Sequence, residues 1–160
     1  MAINRGKQFE DEFKKAFKEI PNIAFERLYD PVGGYSGIKS RCDFILYKYP
    51  RQYYFELKSI HKNLFPLTNI SDRQIKGLLE VSEVTGVSAG VVLWFCDHDR
   101  TIYISIEDIE EWKKTSGKKS INIKDIETEA IRFIELESKR KIALCTYFNG
   151  ADFLDRIGKM

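Results

Sequence analysis

The chain has 160 residues, 43% apolar and 31% charged, with a net charge of only +2. That length suits one domain, residues 1–160, with a real core, and no apolar run approaches the roughly 20 residues that span a bilayer, so no membrane partner is expected. The near-neutral balance excludes any argument for nucleic-acid binding from total charge, which leaves local clusters of Lys and Arg to carry it.

In chain order, the first residues lead into an acidic helix rather than an apolar signal region, so a cytoplasmic location is expected. Residues 6–20 read as that helix, with Phe9, Phe13, Ala16, Phe17 and Ile20 on one stripe. Asn4 is the expected N-cap and Pro21 the stop. Residues 23–28 read as a short strand, and 29–40, with Pro31, Gly33, Gly34 and Gly37, as a flexible loop. Segments 41–48 and 52–60 read as two strands joined by a tight turn at Tyr49-Pro50. A polar connection, 61–70, leads to a helix over 72–85 with Ile75, Leu78, Leu79 and Val84 as its buried stripe and Gly86 as its end. The continuous apolar run 89–95 has the mark of a strand buried on both faces. A turn at 97–100, a strand at 101–106 and a helix at 107–114 follow; then comes part of a helix within 124–137, a strand at 141–148 and a short helix at 152–157. This order points to an α/β fold with a central mixed β-sheet flanked by helices. Cys42, Cys96 and Cys145 lie far apart, without a CxxC pair, which fits free, buried thiols in a reducing cytoplasm.

Asp43, Glu56 and Lys58 stand as D-x12-E-x-K across the expected hairpin. With the turn at Tyr49-Pro50, positions summing to 99 face each other, which sets Asp43 opposite Glu56. Strand side chains alternate, so Glu56 and Lys58 project to one side. Two carboxylates and an ammonium at the open end of a hairpin can hold a hard divalent metal and polarise a water. A solvated cross-strand ion cluster of little energetic value explains the same spacing. Gln74 likewise has two readings: Ser71-Asp-Arg-Gln74 is a capping box, and the same glutamine can reach a site. His61 and His98 lack metal-ligand spacing and are expected in solvent. Tyr47, Tyr49, Tyr53 and Tyr54 are expected to pack, since aromatics suit strands.

The helix, hairpin, helix and strand around this motif resemble a PD-(D/E)xK nuclease, the restriction-endonuclease-like core. Asn4-Arg5-Gly6 opening an acidic helix, and the run from Phe65 to Gln74, are similar to RecU-type Holliday junction resolvases. Gly6 and Glu10 also match the spacing of the archaeal resolvases. Together these matches cover about the first 110 residues. The resemblance implies Asp43 and Glu56 as ligands of Mg²⁺ or Mn²⁺, with the carbonyl of Leu57 as a further ligand. It implies Lys58 at the attacking water, Glu10 positioning metal or water, and Gln74 completing the site. On a helical wheel Glu10 and Glu12 flank the apolar stripe equally; only the spacing from Gly6 favours Glu10.

Cations expected to flank the site are Arg5 and Lys7, Lys39 and Arg41, Lys62 with Asn63, and Arg73 with Lys76, all as DNA contacts. The resolvases carry a longer projection where this chain has its glycine-rich segment 29–40. The shortened form would place Tyr35 at the tip of a wedge, and could be bacteriophage-encoded. The resemblance implies a homodimer, since a four-way junction needs two cuts related by two-fold symmetry. Shape and backbone rather than base edges would be recognised. Two alternatives stay open at this point. One is a nuclease of the same fold that cuts flaps, forks or duplex; the other is a non-catalytic DNA-binding module.

Overall fold

Side-chain alternation along two neighbouring strands organises the structure, a computed structural model that describes residues 4–30, 40–141 and 144–160. In chain order its elements are α1 (Arg5–Lys15), β1 (Ile23–Arg27), β2 (Phe44–Lys48), β3 (Arg51–Ile60), β4 (Leu64–Pro66), α2 (Asp72–Ser82), β5 (Val87–Phe95), β6 (Arg100–Ser105), α3 (Ile106–Ser116), β7 (Ser120–Asn122), α4 (Ile123–Glu127), β8 (Ile134–Leu136), β9 (Ser138–Lys141), β10 (Leu144–Tyr147) and α5 (Gly150–Ile157). Six strands form one mixed sheet in the order β1-β2-β3-β5-β6-β8. β3 and β5 run parallel; their neighbours run antiparallel. A parallel pair needs a crossover, and α2 supplies it.

Tyr53, Phe55 and Leu57 of β3, with Val92 and Trp94 of β5, face α1, α5 and β10. Val91, Leu93 and Phe95 face the other way, toward α2, α3 and α4. β5 is therefore covered on both faces, as its unbroken apolar run requires. On the α1 side the core is aromatic: Phe13 lies 5.6 Å from Phe55, edge to face, and 5.8 Å from Phe44. Such contacts anchor the first helix to the β2–β3 hairpin.

Several expected elements change on folding. α1 ends at Lys15, not at residue 20, because the next residues tighten into turns with bonds such as Phe17 N–H to Lys14 O. Phe17 is still fully buried. The 61–70 connection is not simply polar: β4 pairs with β7, and Phe65, Leu67 and Ile70 are buried. Val84 lies beyond the end of α2 and is exposed. Residues 124–137 split into the short α4 and the edge strand β8, and the expected strand at 141–148 is half of a hairpin, β9–β10. Tyr53 is buried, but Tyr47 and Tyr49 are exposed, so packing accounts for only some of the hairpin tyrosines. All three cysteines are buried and free.

Gly90 sits where β5 passes closest to β6. A Cβ there would lie 2.3 Å from the Ile104 carbonyl oxygen and 2.7 Å from the Tyr103 ring. Gly90→Ala is expected to destabilise the protein by about 3 kcal/mol, because neither backbone nor ring can yield in a packed sheet. Urea unfolding measures it; a cost below about 1 kcal/mol would contradict the close approach.

Candidate active site at the open end of the hairpin

The register of β2 on β3 pairs Phe44 with Phe55 and Lys48 with Arg51, as expected from the turn. Regular pairing stops at Asp43. Its N–H donates to Phe55 O (3.0 Å), while its carbonyl accepts from Leu28 N–H (2.8 Å) on the β1 side. The backbone is thus held from both neighbours, and the side chain turns inward. Oδ2 of Asp43 accepts the Leu57 N–H at 2.8 Å.

Glu56 occupies the α2-facing register of β3 and is only 3% exposed. Its Oε1 accepts two bonds, from Lys58 Nζ at 2.7 Å and from Gln74 Nε2 at 2.6 Å. Its Oε2 is buried without a partner. Gln74 does both things the sequence allowed. Its Oε1 accepts the Ser71 N–H (3.0 Å), closing the capping box at the start of α2. The other end of the same amide holds Glu56. Capping thereby fixes the rotamer that presents the amide N–H to the carboxylate.

Asp43, Glu56 and Gln74 line one cavity of about 100 Å³, with Arg27, Asp30 and Cys42. This volume suits an ion with a few waters, each of which takes roughly 30 Å³. Burial, and next the charge of Asp43, push the Glu56 carboxyl up to about 7, against the pull of Lys58 and Gln74. Burial also raises the Asp43 carboxyl, opposed by the Leu57 N–H and Arg27. Burial pushes the Cys42 thiol up to about 12, which keeps it protonated and unsuited as a ligand. A buried carboxylate with an orphaned oxygen and a half-buried one that repels it form a site short of positive charge. The donors fit a divalent cation of the hard, oxygen-loving type. Among the described residues no group of three or more His, Cys, Asp or Glu side chains could hold a metal, so an ion here would keep waters or take substrate oxygens.

Glu10 reaches this region indirectly. α1 packs on the sheet face opposite α2, so its carboxylate approaches around the end of β1. There Arg27 takes it in a two-pronged contact, Nε to Oε2 at 2.8 Å and Nη2 to Oε1 at 3.1 Å. Nη1 of Arg27 lies 3.6 Å from Asp43 Oδ1. Glu12 instead pairs with Lys15 at the surface. Sequence reading passed over Arg27 and Asp30. Arg27 sits on the short strand before the glycine-rich segment, one of many ordinary basic residues, and only the β1–β2 register brings it to the acids.

Of the expected DNA contacts, Arg5, Lys7, Arg41, Lys62, Arg73 and Lys76 are exposed. Arg5 Nη1 meets His61 Nδ1 at 3.1 Å, and that ring nitrogen lies 3.0 Å from Asp97. Asn63 is engaged with His98 at 2.7 Å. Arg73 and Lys76 flank Gln74 on α2. Tyr35 and Lys39 lie outside the described residues.

A mixed sheet with helices on both faces and an acid-acid-lysine hairpin at its open end defines a nuclease fold of the PD-(D/E)xK type. The chain's residues 14–150 match the family model of RecU, Recombination protein U. The chain belongs to that family, and its function is that of a Holliday junction-resolving nuclease. No curated protein matches it. Among solved structures it is similar to Hjc, a Holliday junction resolvase from Archaeoglobus fulgidus, at 16% identity and a TM-score of 0.44, over 64% of this chain and 76% of that one. None of these comparisons supports a bacteriophage origin. Among the described residues no helix is long and apolar enough to cross a membrane.

The strained carboxylate has a measurable consequence. Burial and the neighbouring Asp43 charge push the folded Glu56 carboxyl up to about 7 from its ordinary 4.5. A raised folded value means the associated stability is complete below pH 4.5 and is lost as pH rises through about 7. In EDTA, the wild type is expected to lose about 1–3 kcal/mol between about pH 5 and about pH 8 relative to Glu56→Gln. Urea melts at the two pH values measure this; parallel profiles would contradict the buried pair.

Proposed function

We propose that the chain resolves four-way DNA junctions as a homodimer, hydrolysing phosphodiesters with Mg²⁺ or Mn²⁺ held by Asp43 and Glu56. The observation that carries the reading is the buried Glu56 Oε2, left without a partner beside Asp43 in a cavity sized for an ion. The Leu57 carbonyl is the proposed third protein ligand. When bound, the ion supplies a water of lowered pKa and neutralises charge on the reacting phosphate.

The chain's own groups do the rest. Lys58, partly exposed and 2.7 Å from Glu56, is proposed to hold the attacking water and a phosphate oxygen beside that carboxylate. Gln74 keeps the Glu56 carboxylate from rotating away. Arg27, its fork taken by Glu10, steadies Asp43 from 3.6 Å, and Glu10 acts through it as a positioning residue. The exposed Arg5, Lys7, Arg41, Lys62, Arg73 and Lys76, with Asn63, are proposed to hold flanking phosphates, a salt-dependent contribution. Tyr35 and Lys39, outside the described residues, are proposed as further DNA contacts. A two-fold dimer presents two such sites to equivalent strands of the junction.

A single nuclease domain over residues 1–160 is proposed to carry the activity. The three free, buried cysteines support a cytoplasmic setting for it.

Asp43→Asn tests the reading. It is expected to slow single-turnover cutting of a labelled four-way junction about 10³-fold, as loss of several kcal/mol of transition-state stabilisation implies, while junction binding in EDTA is kept. Paired symmetrical nicks in the wild type that persist in the variant would sink the assignment.

A further inference from the structure

Arg27 lines two cavities. One holds the two carboxylates. The other, about 380 Å³, lies across the Glu10–Arg27 pair, between the first turns of α1 and the end of β1. Its walls include Lys7, Lys14, Asp11, Tyr29 and the edge of Phe44. Because Arg27 lines both, the two cavities adjoin one another.

The groove has the features of a stacking site for a single base. Its volume lies near the lower end of the range for small-molecule sites, about 300–1,000 Å³, which admits a base and sugar but not a duplex. Tyr29 stands at the rim with 74% of its surface exposed, so it gives little to the core. Its ring is nevertheless positioned, because the Arg27 guanidinium lies 5.0 Å from its centre and 5.4 Å from that of Phe44. A held but open aromatic ring beside a guanidinium is the platform on which single-stranded bases stack. Lys7 and Lys14 are exposed on the helix side and can take the flanking phosphate. Glu10 is already paired with Arg27, which leaves Asp11 as the one unpaired acid among the described residues of this wall.

Resting on the nuclease reading above, we propose that this groove binds the unpaired nucleotide next to the scissile phosphate, with its base stacked on Tyr29. Branch points supply such a nucleotide cheaply, since an unpaired base costs least to take out of the stack. Linear duplex must break a pair to do so. The groove therefore gives a local preference for branched over linear DNA that needs no base-edge contact.

Two readouts test this. In EDTA, where nothing is cut, Tyr29→Ala is expected to weaken binding of a fork with one unpaired nucleotide at its branch about 10-fold, and to leave linear duplex binding unchanged. Tyr29→Phe is expected to restore most of the lost fork binding. In Mg²⁺, an abasic residue beside the cut should slow the wild type about as much as Tyr29→Ala does, and should not slow that variant further. Equal losses on fork and duplex, or losses that multiply in the abasic series, overturn the groove. If the fork-binding pattern holds while the wild type cuts no branched DNA, the groove stands and the nuclease reading fails instead.

Discussion

A carboxylate buried beside another carboxylate is the constraint around which this structure is arranged. Glu56 is surrounded by protein, faces Asp43 across the hairpin, and keeps one oxygen without a partner. Left alone, such a pair is costly, since burial and like charge both oppose ionisation. The fold tolerates it because everything around it is over-determined. The Asp43 backbone is bonded to strands on both sides, Oδ2 is held by the Leu57 N–H, and Glu56 Oε1 is held twice. The strain is thus confined to one charge-deficient cavity, which is the condition a cation or a phosphate-bound cation would relieve.

The larger architecture serves this placement. The parallel pairing of β3 and β5 requires a crossover, and the crossover helix α2 begins with a cap whose glutamine also grips Glu56. The stability of one helix end and the orientation of one carboxylate are therefore the same interaction. On the other face, α1 is anchored through Phe9 and Phe13, and its polar side brings Glu10 to Arg27. That pair stands between the acidic cavity and the Tyr29 groove.

Local rules carried much of this in the sequence. A turn at Tyr49-Pro50 sets the hairpin register, and register sets which acids meet. The unbroken apolar run of β5 announces its burial. The capping box announces the start of α2, though spacing alone could not say that Gln74 would serve two partners. What stayed hidden depends on tertiary geometry. Arg27 matters because β1 pairs with β2 in one register, and Tyr29 because Arg27 lies beside its ring. β4 and β7 are three-residue strands, too short for a periodic signal, that exist by pairing across about 55 residues of chain. Within 124–137 the expected partial helix is there, started by a capping box as α4, but β8, a three-residue strand claimed by the sheet edge, stayed hidden for the same reason.

The most direct test is to locate the ion. Crystals of the wild type grown with junction DNA and Mn²⁺, measured for anomalous scattering, should show a peak between the side chains of Asp43 and Glu56, within ligand distance of an oxygen from each. A peak bound elsewhere, or carboxyl groups at positions 43 and 56 turned away from each other with no ion between them, would contradict the account.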